Sequence, residues 1–401
     1  MTIRRLNVLA FLLVCIGTAF TGVACKKEAG KEKPQEGAYE IPNVPAATAI
    51  NPEFGTLEDF KNFVKRAHEM GFKVIIDWVA NHTGWDHVWT KSHPEYFEKD
   101  SATNDFKVAS GMDDIIELDF TNPDLRKAMI DAMKYWITEC DIDGYRCDLA
   151  FWVELDFWLE ARAELEKTKT LFWLAENDPL ENPSYYQAFD ACYTWTWMHK
   201  AEDFYKHNQD ARMLDSVLQR YDTVGGPGGI KLWFTTNHDE NSWNGTEYEK
   251  YGDAAKALAV HSFTWEGIPL IYSGQELPNK KRLKFFEKDV IEWNGNYELH
   301  DFYKILLSLR KSNPALRAGD TASITTTLKT NAPNNVLAYL RKNGNREVLV
   351  LLNMSKSSVS CSLTDGQISG TFTDVFKKTQ LDATTARNFE MHPWEYLVYE
   401  K

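Results

Sequence analysis

Short apolar runs that end in a polar or acidic residue recur along the chain, and amphipathic stretches of helical period lie between them. Residues 73–78, 144–148, 171–176, 189–195, 232–237 and 268–273 read as strands. Residues 57–70 place Leu57, Phe60, Phe63, Val64 and Ala67 on one helical face, and Gly71 stops the run. Further helices are predicted over 123–139, 157–167, 252–265 and 301–312, with a loop-rich region from 84 to about 120. Strands that alternate with helices imply right-handed βαβ units and a parallel sheet. Near-continuous apolar strands that deliver carboxylates at their C-terminal ends are the pattern of a (β/α)8 rim. After Pro314 the pattern changes: Asn343-Gly344 is a hairpin signal between 336–341 and 347–352, and short strands continue to 395–399. The predicted fold is α/β, an incomplete (β/α)8 TIM barrel with six recognisable strands over 48–317. A small antiparallel β-sandwich domain over 318–401 follows it.

The first residues carry a different pattern. Arg4 and Arg5 precede an apolar run from Leu6 to Phe20, too short for a comfortable membrane span, and Thr21-Gly22-Val23-Ala24-Cys25 follows. Residues 1–24 are expected to be a signal peptide. Cys25 is expected to be the lipidated N-terminus of a bacterial lipoprotein, and the Lys/Glu/Pro-rich segment 25–47 its tether. That predicts a location in the cell envelope and a membrane partner reached through the lipid on Cys25. A plain signal peptide is the alternative.

Composition narrows the classes. In 401 residues, 43% are apolar, enough for a substantial core, so a disordered chain is excluded. A net charge of −13 argues against nucleic acid as a partner. Cys140, Cys147, Cys192 and Cys361 form no C-x-x-C pair and are expected to be buried free thiols. Most of the tryptophans belong to the core; Trp85, Trp89 and Trp243, just beyond strand ends, are candidates for stacking on sugar rings or for loop packing.

The chemistry sits at the strand ends. Gly144-Tyr145-Arg146-Cys147-Asp148, Ala175-Glu176 and Thr236-Asn237-His238-Asp239 present three carboxylates to one rim. Paired carboxylates are the apparatus of glycoside cleavage. Arg146 lies two residues before Asp148 on a strand, so both point to the same face. Each fragment alone has a plainer explanation, as a surface ion pair, a turn or a helix cap.

Together the segments resemble the α-amylase superfamily, glycoside hydrolase family 13. Asp77-Trp78-Val79-Ala80-Asn81-His82 is similar to D-x-V-x-N-H, and 144–148 to G-x-R-x-D. Ala175-Glu176 is similar to the short acid signature, and 234–239 to F-x-x-N-H-D. Asn51-Pro52-Glu53-Phe54-Gly55-Thr56 resembles the segment before the third barrel strand. The resemblance implies a retaining hydrolase of α-1,4-glucans such as starch and maltooligosaccharides. In it Asp148 is the nucleophile, Glu176 the acid/base with a raised pKa, and Asp239 a transition-state stabiliser. Arg146, His82 and His238 are substrate-binding residues.

Two departures carry expectations. Phe151-Trp152 stands where the family often has Lys-His, and although Asn81 is a calcium ligand in many relatives, no metal or other cofactor is assigned. The family also has two βα units before Asn51-Pro52, each of about 30 residues. Here 1–47 precede it, so an internal deletion is expected, with exposed sheet edges and impaired activity. Besides the hydrolase, a transglycosylase with the same triad and a degenerate non-catalytic glucan-binding lipoprotein remain open.

Overall fold

The computed structural model describes residues 48–109, 111–364, 366 and 368–401, together with the backbone of Phe11–Val14. The described chain forms two compact units. One runs to Glu176 and includes Gln187–Phe189; the other comprises Asn177–Tyr186 and Asp190–Lys401.

In the first unit the strands Lys73–Val79, Gly144–Asp148 and Phe172–Ala175 pair in parallel. Asp77 lies opposite Arg146, and Cys147 opposite Ala175. The strands pack their aromatic side chains together: Tyr145 sits 5.7 Å from Trp78 and 5.6 Å from Trp173 between ring centres. The helices Leu57–Glu69, Pro123–Cys140 and Leu155–Leu165 make the crossovers. A Thr56–Asp59 capping box starts the first of them, and Asn122 with Pro123 starts the second. Phe60, Val64 and Ala67 are buried as expected, but Phe63 is exposed and stacks on Phe60 at the edge of the apolar stripe.

Gly144 has a positive φ of 159°, and a Cβ there would lie 2.0 Å from the Phe172 carbonyl oxygen. Only glycine lets the two strands approach at this point. At the N-terminal ends of the strands, buried Asp143 accepts from the Val74 N–H and pairs with Lys73, His68 and Lys169. Burial alone would raise its pKa, but these partners outweigh it and hold the carboxyl below its ordinary value. This cluster stabilises the end opposite the carboxylate rim.

Phe11–Val14 is also a strand, parallel to Lys73–Val79 with Phe11 opposite Lys73. The edge expected to be open is therefore paired over these residues. The rest of the expected signal peptide, Cys25 and the tether lie outside the described residues. The region 84–120 is not only loop: His82–Gly84, Met112–Glu117 and Val108–Ala109 form a small antiparallel sheet.

In the second unit Ala191–Tyr193, Ile230–Trp233 and Ile268–Pro269 are parallel. All six predicted strands are thus present, each shorter than or close to its predicted length. The helices Trp195–Lys206 and Ala211–Asp222 fill an interval that the apolar pattern left unassigned. The helix Ala255–Thr264 is buried at every position but Lys256, so its period is masked; His261 on it lies among Trp197, Trp233, Trp265 and Tyr339. Arg310, on the helix His300–Ser312, donates to the Phe263 and Gly267 carbonyls at 2.7 Å each, closing the C-terminal end of that helix.

The C-terminal strands are antiparallel. Val336–Asn343 and Arg346–Asn353 form the predicted hairpin, extended by Ile324–Thr327, Tyr396–Glu400, Thr371–Asp374 and Gln380–Asp382. A second sheet pairs Val359–Ser362 with Asn388–Met391. Leu340, Leu349, Leu351, Phe372 and Phe389 form the core of this region. Cys140, Cys147, Cys192 and Cys361 are buried free thiols.

Candidate active site

The carboxylates of the first unit are organised by one guanidinium. Arg146 is fully buried; its Nη1 contacts Asp77 Oδ1 at 2.8 Å and Asp148 Oδ1 at 2.6 Å, and its Nη2 contacts Glu176 Oε2 at 3.0 Å. The side chains of Asp148 and Glu176 are 21% and 9% exposed, so Asp148 is the more accessible of the two. Strand register explains the arrangement. Cys147 pairs with Ala175, so the next residues, Asp148 and Glu176, leave neighbouring parallel strands side by side, about 4.8 Å apart in the backbone. Neighbouring strand ends on one guanidinium place the two carboxylates close enough to flank a single glycosidic bond.

The backbone adds a further contact. Leu149 has φ 40° and ψ 44°, a left-handed conformation that costs a non-glycine residue about 1–2 kcal/mol. The turn aims its N–H at Glu176 Oε2, 2.9 Å away, while the Glu176 N–H bonds the Cys147 carbonyl at 2.9 Å. Strain is concentrated at the residue that follows Asp148, where it positions a carboxylate.

His82 follows the Lys73–Val79 strand. Burial lowers its pKa, against the charges of Asp148, Asp114 and Glu117. Asn81 Nδ2 is 3.5 Å from His82 Nδ1; with the amide donating, the ring proton lies on Nε2, which becomes a donor.

In the second unit Asn237 caps the helix His238–Trp243, accepting from the Asp239 and Glu240 N–H groups at 3.1 and 2.8 Å. His238 Nε2 lies 3.3 Å from Asp239 Oδ2. The neighbouring Glu240 is buried and tied to Lys250 at 2.8 Å and Asn244 at 2.8 Å. Burial alone would raise its pKa, but His199, Lys250 and Asn244 outweigh that and hold it down to about 2. Glu240 is therefore an anchor beneath Asp239.

Asp148, Glu176, Arg146 and His82 thus gather in one unit, and Asp239 and His238 stand together in the other. Sequence reasoning gave Asp77 no role, although it takes a position on the guanidinium equal to that of Asp148. Its place opposite Arg146 depends on strand register, which a single sequence does not display. Of the three stacking candidates, Trp85 and Trp243 are 47% and 54% exposed, but Trp89 is buried beside Tyr96, so it belongs to packing.

Among the described residues no three His, Cys, Asp or Glu side chains converge as a metal site, and the Asn81 carbonyl accepts the Leu118 N–H at 2.9 Å. No step is derived through a metal.

The profile of the α-amylase catalytic domain matches residues 31–110 and 96–292, and that of the maltogenic amylase C-terminal domain matches 326–398. An α-amylase of Dictyoglomus thermophilum is 26% identical over 361 residues, covering 82% of this chain and 59% of the relative. A cyclomaltodextrinase of Geobacillus thermopakistaniensis is 26% identical over 351 residues, with 77% and 56% covered. This chain therefore spans a little over half the length of these two relatives. Among solved structures, a noncanonic maltogenic α-amylase of Thermotoga neapolitana superposes with a TM-score of 0.80 at 30% identity, covering 89% of this chain and 84% of the other. An α-amylase of Lactobacillus plantarum gives 0.76 at 26% identity, with 89% and 85% covered. The six parallel strands, the antiparallel C-terminal sheets and these matches lead to one conclusion: the chain belongs to the α-amylase family of glycoside hydrolases.

Proposed function

We propose that this protein hydrolyses α-1,4-linked glucans, starch or maltooligosaccharides, with retention of anomeric configuration. One observation carries the reading: a single buried guanidinium holds Asp148 and Glu176 on adjacent nitrogens at 2.6 and 3.0 Å, at the ends of neighbouring strands. Asp148, the more accessible carboxylate, attacks the anomeric carbon as the glycosidic bond breaks. Glu176 gives its proton to the leaving oxygen, then takes one from the water that releases the sugar. Arg146 aims Asp148 through its 2.6 Å contact. Asp239 and His238 bind ring hydroxyls, and His82 donates from Nε2.

The test is incubation of the purified chain with maltoheptaose, following products by chromatography and the first-formed anomer by proton NMR. Shorter maltooligosaccharides released as the α-anomer are expected. Release of the β-anomer would overturn the assignment of Asp148 as nucleophile, and no cleavage would overturn the hydrolase reading. Products longer than the substrate would make it a transglycosylase.

The reading extends to location. Arg4, Arg5, the apolar run and Ala24-Cys25 support export and lipid attachment at Cys25. Removal of such a leader would take the Phe11–Val14 strand with it and leave the Lys73–Val79 edge without that partner. Mass spectrometry of the membrane fraction, with Cys25→Ser as control, decides between a lipidated Cys25 and an intact N-terminus.

A further inference from the structure

A cluster of exposed rings lies one helical turn beyond Asp239. Trp243 follows Asp239 by four residues on the helix His238–Trp243, which puts the two on the same face, about 5–6 Å apart at Cβ. Its indole is 54% exposed, and Phe285 and Phe286, 45% and 58% exposed, surround it. Ring centres lie 4.9 Å from Trp243 to Phe285, 5.7 Å from Trp243 to Phe286, and 5.0 Å between the two phenylalanines. Three large rings left in water need an explanation, because soluble surfaces rarely gather them.

The segment that carries the phenylalanines is fastened in place. Buried Asn241, on the Trp243 helix, accepts the Leu283 N–H at 2.8 Å and donates to the Lys281 carbonyl at 3.2 Å. Arg282 Nε contacts the Glu249 carboxylate at 3.0 Å. Lys281 pairs with Asp289, which also accepts the Lys284 N–H at 3.2 Å, closing the turn around Phe285 and Phe286. The rings are therefore presented by a braced loop, and binding to them would cost little ordering.

We propose that Trp243, Phe285 and Phe286 form a glucan-binding platform that stacks on a glucose unit of a long chain whose neighbouring unit is held by Asp239. A pyranose ring has an apolar C–H face that matches an aromatic surface, and it carries no charge to require an ionic partner. Continuity with Asp239 on one helix selects this occupant over others; the proposal rests on the assignment of Asp239 to the substrate site.

The test is native electrophoresis through gels with and without soluble glycogen, together with calorimetric titration of maltoheptaose, all in a Glu176→Gln background so that the probe survives. Glycogen should retard the parent protein, Trp243→Ala should migrate as if no glycogen were present, and Trp243→Tyr should recover most of the retardation. The maltoheptaose Kd should rise about tenfold in Trp243→Ala, the size of one lost ring contact. Phe285→Ala should show a smaller rise, and Phe54→Ala, an exposed ring elsewhere, none. Equal retardation of parent and Trp243→Ala, at matched thermal stability, would overturn the platform, as would a parent that glycogen does not retard. Sedimentation velocity covers the competing occupant: a dimer that Trp243→Ala dissolves would make the patch a contact between copies. Hydrolysis of an aryl maltoside by the wild type reports separately on the catalytic reading, so the two fail independently.

Discussion

The Leu149 N–H donates to Glu176 Oε2 at 2.9 Å, and the same oxygen lies 3.0 Å from Arg146 Nη2. The strained turn at Leu149 thereby fixes the orientation of the Glu176 carboxyl.

Glu176→Gln should keep the fold, since its amide oxygen can accept the Leu149 N–H as the carboxylate does. Hydrolysis of an unactivated maltooligosaccharide should fall by about 10²–10⁴. A substrate with a good leaving group, such as a maltosyl fluoride, should lose much less in the bond-breaking step, because it needs little protonation. Equal losses on both substrates, measured in single turnover, would contradict the role.

Arg146→Met should be severely destabilised. It leaves Asp77, Asp148 and Glu176 together without their shared cation, and breaking a buried ion pair from one side costs about 3–5 kcal/mol. Urea unfolding at pH 7 should show the midpoint shift; a variant as stable as the wild type would mean that the cluster is open to water.

His261 should make the protein acid-sensitive. Burial among aromatic rings pushes its pKa down to about 3, so the folded state holds the imidazole neutral. The unfolded chain, with an ordinary value of 6.5, takes up the proton first. Stability is therefore full above that value and is lost as pH falls toward 3, reaching about 2 kcal/mol by pH 5. His261→Phe should flatten the fall in unfolding free energy between pH 7 and pH 5.

Glu247 should act in the opposite direction. It is buried with Thr235 and Gln275 donating to its Oε1, and burial raises its pKa to about 7 despite those bonds. The folded state holds the proton more tightly than the unfolded chain, whose value is 4.5, so its contribution is intact in acid and is lost as pH rises through 4.5 to 7. The loss amounts to about 3 kcal/mol by pH 8. Glu247→Gln, which keeps an acceptor for both donors, should raise the melting temperature at pH 8 and change it little at pH 4.

Much of this protein was legible along the chain. Apolar runs ending at Asp148 and Glu176 marked the strand ends, and the run before Asp239 marked a strand that ends earlier, at Trp233, because a buried parallel strand must be apolar throughout and its polar residues collect where it emerges. Gly144 was readable as a motif position, and the structure supplies the reason in the carbonyl of Phe172. What tertiary structure decided lies between strands. The pairing of Asp77 with Arg146, the Leu149 N–H on Glu176 and the Phe285–Phe286 loop fastened by Asn241 all join residues distant in sequence or depend on a backbone twist that local pattern does not encode. The helices at 195–206 and 211–222 escaped notice, and the burial of Trp89 and exposure of Phe63 were settled by their neighbours, because periodicity reports which residues share a face and not what that face meets.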